Sequence, residues 1–262
     1  MTLLTPEVTK MQKFYAKILT LFFLVSAVHL SAVWDPEFDL MDQTSLDFMS
    51  LLEPDYLDLK TEVQDYLKNS WCSEEKIDLL MDLVYLTKPD VCVEIGAFTG
   101  SSVLPVAATL KHIGKGKVFA IDAWSNSVAI ENLAEDDPNR AWWSKVNMRQ
   151  ALGQFENLIN EWQIRTFVKV LRKPSKDAAK YVRNIDFLHI DGDYSEKGTL
   201  EDLNNYLPKL KPGGYVLLSN IMLAVNDNYP KMEAFFQLLD EYETVTETGG
   251  GGAALFKKPL DD

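Results

Sequence analysis

Segments with the pattern of buried β-strands alternate with segments of helical periodicity from residue 91 to the end of the chain. Because a parallel pair of strands needs a crossover, usually a helix, this alternation predicts an α/β fold: a mainly parallel sheet with helices on both faces. The predicted strands are Val91–Ile95, Lys117–Ile121, Thr166–Leu171, Phe187–Ile190, Tyr215–Leu218, Thr244–Glu247 and Ala253–Phe256. The predicted helices are Ser101–Lys111, Ala141–Trp162, Ser175–Val182, Lys197–Tyr206 and Lys231–Asp240. A glycine run joins the last two strands, which we expect to form an antiparallel edge.

Helical periodicity precedes this region as well. It covers residues 44–69 and is broken at Pro54, which predicts two helices. Ser73 can cap a third helix, because Glu74 and Glu75 then fall in its first turn, where acidic side chains favour the helix dipole.

The N-terminal segment has the three-part pattern of a secretory signal. Lys13 and Lys17 precede an apolar run, 18–28, that ends in small residues and is shorter than a spanning helix requires. We expect cleavage and export, or membrane association through this segment; the alternative is an N-terminal helix packed on the domain of a cytoplasmic protein. The predicted organisation is a signal-like or anchor segment over 1–32, a helical extension over 33–72 and one domain over 73–262.

Charge and cysteine content exclude several classes of protein. The chain has 39 acidic and 26 basic residues and a net charge of -13, which disfavours nucleic acid and anionic membrane surfaces as partners. The two cysteines, Cys72 and Cys92, do not make a disulfide framework or a metal-site spacing, so we expect free thiols. The sequence leaves open whether the chain forms homo-oligomers.

A glycine-containing turn follows the first strand. Gly96 allows a sharp turn out of the strand, and Gly100 allows a ligand to approach the backbone at the start of the helix. The spacing is G-x-x-x-G and Phe98 occupies the position of the second glycine in the dinucleotide fingerprint, so an NAD- or FAD-dependent oxidoreductase is disfavoured.

Two acidic residues stand at the ends of the first two strands. Glu94 and Asp122 should face the crevice where open α/β sheets bind ligands. A carboxylate at the position of Glu94 would repel a phosphate and suits an ammonium group, while an acid at the position of Asp122 suits ribose hydroxyls. The pair therefore indicates a cationic nucleoside-containing ligand.

These motifs carry a family resemblance. Residues 91–122 resemble motif I and the following acid of the class I S-adenosylmethionine-dependent methyltransferases, and the runs 186–194 and 210–216 are similar to their motifs IV and V. The closest branch contains the catechol, caffeoyl-CoA and macrolide-sugar O-methyltransferases. The resemblance covers about residues 70–258 and implies a Rossmann-like fold, S-adenosylmethionine as cofactor and a small hydroxylated molecule as methyl acceptor.

The resemblance also implies roles for individual residues. Glu94, Gly96, Gly100 and Ser101 would hold the methionine end of the cofactor. The ribose would lie on Asp122, and the adenine on Ser175. Asp191 would lie beside the cofactor as a catalytic residue and as the first ligand of a divalent metal such as magnesium.

The sequence departs from the metal-dependent pattern at the chemical centre. Ser219-Asn220 stands where the family has a second acid followed by Asn or Asp, so one carboxylate ligand is missing. Since divalent cations such as magnesium prefer carboxylate oxygens, we expect weak or absent metal binding by Asp191 and Asn220. Asp193 compensates only if its side chain turns inward.

The catalytic base of the family, a Lys or His, is also replaced. Tyr194 stands three residues after Asp191 in its place, and an unperturbed tyrosine has a pKa of about 10, which makes it a poor base. Lys197 is the nearest substitute in the sequence. We therefore expect an O-methyltransferase, with a protein that binds S-adenosylmethionine without methyl transfer as the alternative.

Overall fold

The computed structural model describes residues 53–226, 228–249 and 252–261. The predicted signal-like segment, and the first predicted helix before Pro54, lie outside the described residues. None of the described helices is long and apolar enough to cross a membrane. Residues 55–262 form one compact unit, which the following paragraphs describe.

The helices and strands follow the predicted alternation. The helices are α1 (Pro54–Leu67), α2 (Glu74–Thr87), α3 (Val103–His112), α4 (Asn126–Ala129), α5 (Pro138–Trp143), α6 (Met148–Glu161), α7 (Ser175–Ala178), α8 (Glu196–Tyr206) and α9 (Met232–Glu241). The strands are β1 (Val91–Ile95), β2 (Lys117–Asp122), β3 (Val168–Arg172), β4 (Ile185–Ile190), β5 (Leu210–Ser219), β6 (Glu243–Glu247) and β7 (Ala253–Lys257). Two short 3₁₀ helices, Ala179–Tyr181 and Leu207–Lys209, follow α7 and α8.

The strands form one seven-stranded sheet in the order β3-β2-β1-β4-β5-β7-β6. The first five are parallel, whereas β7 pairs antiparallel with both β5 and β6. This confirms the predicted Rossmann-like sheet and its antiparallel C-terminal edge. Four of the six residues of β4 are apolar, and the other two are Asp186 and His189. A largely apolar strand is expected where helices cover both faces of the sheet.

The second predicted N-terminal helix and the third are present. The Ser73 hydroxyl caps α2 by accepting a hydrogen bond from the Lys76 amide, at 3.3 Å. The apolar stripe of α2 is buried and includes Ile77, Leu80 and Val84. Both cysteines are buried and free, as expected.

The prediction of a single helix over 141–162 is wrong. The chain makes two helices there, α5 and α6, because Asn147 begins a new helix and its side chain accepts from the Gln150 amide at 3.0 Å. The Asn126 side-chain amide donates to the carbonyls of Trp143 and Val146, at 2.7 and 2.9 Å. It thereby gives hydrogen-bond partners to carbonyl groups between α5 and α6 that have no partner within a helix.

Candidate active site

A cavity opens at the carboxyl ends of β1, β2, β4 and β5. The winding of the sheet reverses at β1, since β2 lies on one side of it and β4 on the other, and such a switch point forms the crevice of open α/β sheets. The predicted site residues that line the cavity are Gly96, Ser101, Asp122, Ser175, Asp191, Tyr194 and Asn220. Glu94, Gly100 and Lys197 are not among the lining residues.

The two glycines of the turn have different neighbours. Gly96 has a φ of +91°, and a Cβ there would lie 2.5 Å from the Asp191 carbonyl oxygen, so the turn and the segment after β4 pack backbone to backbone. Gly100 has the same φ, but a Cβ there would meet the Phe155 ring at 2.7 Å. The absence of a side chain at Gly100 therefore makes room for α6, and the approach of a ligand to the Gly100 backbone stays a prediction.

Asp122 is held by the backbone on both sides. Its carboxylate accepts from the Phe98 amide at 2.9 Å and from the Trp124 amide at 2.6 Å. Both donors have positive φ, 41° and 44°, a conformation that costs a non-glycine residue free energy and is concentrated at functional sites. Burial raises the pKa of Asp122, while the two amides lower it. Each oxygen keeps a lone pair for a ligand hydroxyl on the cavity side.

The far end of the cavity is a buried polar cluster. Ser175 begins α7, and its carbonyl accepts from the Tyr206 hydroxyl at 2.7 Å. Asp202 is 2% exposed, and burial raises its pKa to about 7 although the Ser175 side chain lowers it. This end presents hydroxyl and carboxyl groups, and Lys173 and Lys176 line the cavity beside them. Lys176 is half exposed and pairs with Glu131 at 2.9 Å.

Glu94 lies beneath the cavity and does not face it. Its carboxylate accepts from the Ser102 hydroxyl and pairs with His189 Nδ1 at 2.5 Å, and both Glu94 and His189 are at most 1% exposed. His189 Nε2 in turn lies 2.8 Å from the Ser219 hydroxyl. The expected free carboxylate at the strand end is therefore a buried one, because Ser102 and His189 take up both of its oxygens. A direct contact between Glu94 and the cofactor stays a prediction.

Asp191 forms a mostly buried ion pair at the cavity. The Lys76 ammonium lies 3.0 Å from its Oδ2, and the Asn220 amide nitrogen donates to its Oδ1. Burial alone would raise the pKa of Asp191, but Lys76, His189 and Lys231 together lower it below its usual range. Burial alone would lower the pKa of Lys76, and Asp191 reverses that effect and raises it. Both groups are therefore charged at neutral pH.

The two candidate bases differ in position. Tyr194 lines the cavity, where burial and the Asp191 carboxylate raise its pKa above the ordinary tyrosine value. Lys197 lies on α8 with 71% of its side chain exposed, and its nearest acid is Glu201 at 3.9 Å. Lys197 does not line the cavity, because the first turn of α8 points its side chain to solvent, and its role as a substitute base stays a prediction.

The residues implied as metal ligands do not fit a divalent cation. Both oxygens of Asp191 are taken, Asn220 presents its amide nitrogen where a metal needs oxygen, and Ser219 bonds to His189. Asp193 does not compensate, because its carboxylate accepts from the Ser195 amide at 2.7 Å and from Asn132 at 2.9 Å.

A second group of possible ligands lies nearby. Ligand atoms of Glu94, His189 and Asp191 fall within 4.8 Å of one another. Each of these atoms already has a hydrogen-bond partner or an ion-pair partner, so a metal would have to displace a buried network.

Aromatic side chains surround the mouth of the cavity. Trp71, Phe98, Trp143 and Tyr194 line it, and the Trp71 ring lies 5.3 Å from Phe98 and 5.2 Å from Trp142. Trp71 is 61% exposed, which is unusual for so large an apolar side chain. Such a rim offers a flat apolar surface to a ligand that enters from solvent.

Sequence reasoning missed Lys76, Trp71 and Lys231. Lys76 stands in the first turn of an amphipathic helix, where a lysine is usually a surface residue, and its partner Asp191 is 115 residues away. Lys231 is 2% exposed, has no hydrogen-bond partner within the described part of the chain, and lies 5.6 Å from the centre of the Tyr194 ring. No local pattern marks either lysine, whereas Trp71 could have been suspected as a tryptophan in a polar turn.

Comparisons with known proteins agree with this geometry. Residues 93–221 match the family model described as "Methyltransferase domain", a range that begins within β1 and contains the glycine turn, Asp122 and Asp191. No curated protein matches the sequence at a significant level.

Solved structures with the same fold include three methyltransferases. The O-methyltransferase TomG from Streptomyces achromogenes, involved in tomaymycin synthesis and in complex with SAM, is 16% identical with a TM-score of 0.53, over 84% of this chain and 96% of that one. An O-methyltransferase from Bacillus cereus in complex with SAH is 16% identical with a TM-score of 0.51, and the match covers 84% of this chain and 97% of that one. The SAH-bound Podospora anserina methyltransferase PaMTH1 is 12% identical with a TM-score of 0.52, and the match covers 88% of this chain and 99% of that one. At these identities the likeness establishes the fold.

Proposed function

We propose that this chain, a class I S-adenosylmethionine-dependent methyltransferase by its fold and its methyltransferase domain, methylates a hydroxyl group of a small molecule. The observation that carries this proposal is the division of one cavity into two chemically different parts. The glycine turn and Asp122 form a cofactor half, and Asp191 with Lys76 forms an acceptor half beside it.

The cofactor half supports the expected position of S-adenosylmethionine. The turn at Gly96 and the hydroxyl of Ser101 would meet the methionine end, Asp122 the ribose, and Ser175 the adenine. Asp122 is suited to its task because two backbone amides fix its orientation before a ligand arrives. The carboxylate of Asp122 and the hydroxyls of Ser101 and Ser175 suit the polar groups of a nucleoside.

The chemistry is an in-line displacement at the methyl carbon. S-adenosylmethionine supplies a methyl group on a sulfonium, which is a good leaving group, so most of the catalysis comes from holding the acceptor oxygen in line with the methyl–sulfur bond. Removal of the acceptor proton contributes a smaller factor. Tyr194 is poorly suited as a base because its pKa is raised, and Asp191 is poorly suited because its pKa is lowered.

The rim supports an acceptor with a planar apolar ring. Trp71, Trp143 and Phe98 offer ring faces and edges at the mouth, next to the Asp191–Lys76 pair. An acceptor that stacks on this rim would place a ring hydroxyl at the ion pair. A hydroxylated aromatic molecule therefore fits better than an extended polar one.

Methyl transfer can be tested directly. The full chain is incubated with methyl-labelled S-adenosylmethionine and a panel of hydroxylated aromatic and aliphatic molecules, and label in the product is counted. We expect transfer to at least one aromatic hydroxyl. Tight binding of S-adenosylmethionine without transfer to any member of a broad panel would favour the alternative, a binding protein without transferase activity.

A further inference from the structure

Lys76 occupies the part of the cavity where the acceptor oxygen would lie. Its side chain is 12% exposed and lines the cavity, and its ammonium group pairs with Asp191 at 3.0 Å. The lysine reaches this point from the first turn of α2, which Ser73 caps. An ammonium has three N–H donors, and the ion pair uses one of them, so donors remain for a ligand.

The surroundings of Asp191 show what Lys76 replaces. The Asn220 amide and Lys76 take both carboxylate oxygens, and Ser219, at the position of the missing acid, is turned to the buried His189. The residues that would ligate a divalent ion are thus organised around an ammonium. A metal here would have to sit a few ångströms from a fixed positive charge, which repels it strongly in a crevice of low dielectric.

We propose, on the basis of the proposed function, that Lys76 supplies the positive charge at the acceptor oxygen that a divalent cation would otherwise supply. The lysine donates a hydrogen bond to the acceptor oxygen and stabilises its anionic form. Asp191 acts on the acceptor through Lys76, because the ion pair fixes where the ammonium points. Lys76 is then a catalytic residue and Asp191 a positioning residue.

The step balances without another reactant. The acceptor hydroxyl loses its proton to water at the open mouth of the cavity, and the ammonium of Lys76 stabilises the resulting oxyanion. An oxygen lone pair then forms the O–C bond to the methyl group as the C–S bond breaks, and the electrons of that bond remain on sulfur. The products are the methyl ether, neutral S-adenosylhomocysteine and the proton released to solvent.

Magnesium binding tests the replacement without knowledge of the acceptor. Titration calorimetry with magnesium chloride is run on the full chain saturated with S-adenosylmethionine, for the wild type, Lys76→Glu and Lys115→Glu. Lys76→Glu removes the ammonium and adds a carboxylate beside Asp191, so we expect magnesium to bind it at least about tenfold more tightly than the wild type. Lys115→Glu is the matched control: it makes the same change of charge at an exposed pair with Asp90 and should behave as the wild type.

Two outcomes would overturn the inference. One is saturable magnesium binding by the wild type that is lost in Asp191→Asn, and the other is a Lys76→Glu variant that binds magnesium no better than the wild type. If Lys76→Glu does not fold, Lys76→Gln replaces it, with the same direction expected from loss of the positive charge. Failure of the proposed function would show separately, as absence of S-adenosylmethionine binding in the saturation step.

Discussion

The two halves of the cavity are built in different ways. In the cofactor half, Asp122 is held by amides of Phe98 and Trp124, which are 24 and 2 residues away in the sequence, and the packing of Gly96 shapes the turn. In the acceptor half, Asp191 is held by Asn220 and Lys76, which are 29 and 115 residues away. The first half rests on backbone geometry that a short motif encodes, and the second rests on side chains from distant helices and strands.

This difference has a consequence for function. A backbone-held site keeps its shape when side chains change, so the same turn can serve many chains that use one cofactor. A site of long-range side-chain pairs changes its chemistry when one residue is replaced. We therefore expect substitutions in the cofactor half to change mainly the affinity for the cofactor, and substitutions in the acceptor half to change mainly the rate of methyl transfer.

The largest effect is expected from Lys76→Met. Loss of a charged donor at the developing oxyanion should lower kcat by about 100-fold or more, on the scale seen for single oxyanion donors. The affinity for S-adenosylmethionine should stay within about twofold, because the ion pair lies in the acceptor half. Assays use the acceptor identified in the panel, with calorimetry for the cofactor.

The pH profile gives a readout that a structural role for Lys76 would not produce. The wild-type rate should rise at a lower pH than that of Lys76→Met, because the ammonium lowers the pKa of the bound acceptor hydroxyl. Wild-type activity should also survive a chelator. Lys115→Met, which removes an exposed lysine, is the control; equal pH profiles for wild type and Lys76→Met would argue against the acceptor role.

Gly96→Ala should disrupt the boundary between the two halves. Gly96 has a positive φ, and the new Cβ would lie 2.5 Å from the Asp191 carbonyl oxygen. We therefore expect the substitution to lower the free energy of unfolding by about 2–4 kcal/mol. Chemical denaturation measures this loss. Gly114→Ala is the matched control, since Gly114 also has a positive φ but nothing within 4 Å of its Cβ; similar losses for the two variants would mean that the backbone contact contributes nothing.

Asp122→Ala should affect the cofactor half alone. Loss of hydrogen bonds from ribose hydroxyls to a carboxylate should weaken S-adenosylmethionine binding by about 1–3 kcal/mol. Calorimetry checks this value, and Asp90→Ala, an exposed acid just before β1, serves as control. Affinity equal to that of the wild type would remove Asp122 from the site.

A pH dependence of stability should originate at Asp202. Burial raises its pKa to about 7, so the folded protein binds a proton that the unfolded chain releases near pH 4. Stability from this group is present below that lower value and falls as the pH rises towards 7, by about 1 kcal/mol per pH unit within the window. Asp202→Asn should flatten this slope, whereas Glu196→Gln, which replaces an exposed acid on the same helix, should leave it unchanged.

Much of the fold follows from the sequence because it is encoded locally. The central strands β1 and β4 are short, mostly apolar runs, and the glycine run between the last two strands predicts their antiparallel edge. The break between α5 and α6 escaped prediction because it depends on Asn147 as a cap and on Asn126, which is distant in sequence. Apolar periodicity alone continues through such a break.

The site residues also differ in whether their position is encoded locally. Gly96 and Asp122 are predictable because a turn and a strand end place them. Glu94 and Lys197 were misplaced, because burial of Glu94 depends on His189, and the direction of Lys197 depends on how α8 packs. Lys76 was missed for the same reason, since its role exists only when α2 packs against the end of β4.

The most direct test of the central proposal is calorimetric titration of the purified full chain with S-adenosylmethionine and, separately, with NAD. The glycine turn lacks the dinucleotide spacing, because Phe98 occupies the position of the second glycine, so we expect saturable binding of S-adenosylmethionine and none of NAD. Binding of NAD in preference to S-adenosylmethionine, or no binding of S-adenosylmethionine, would contradict the assignment of the cavity to methyl transfer.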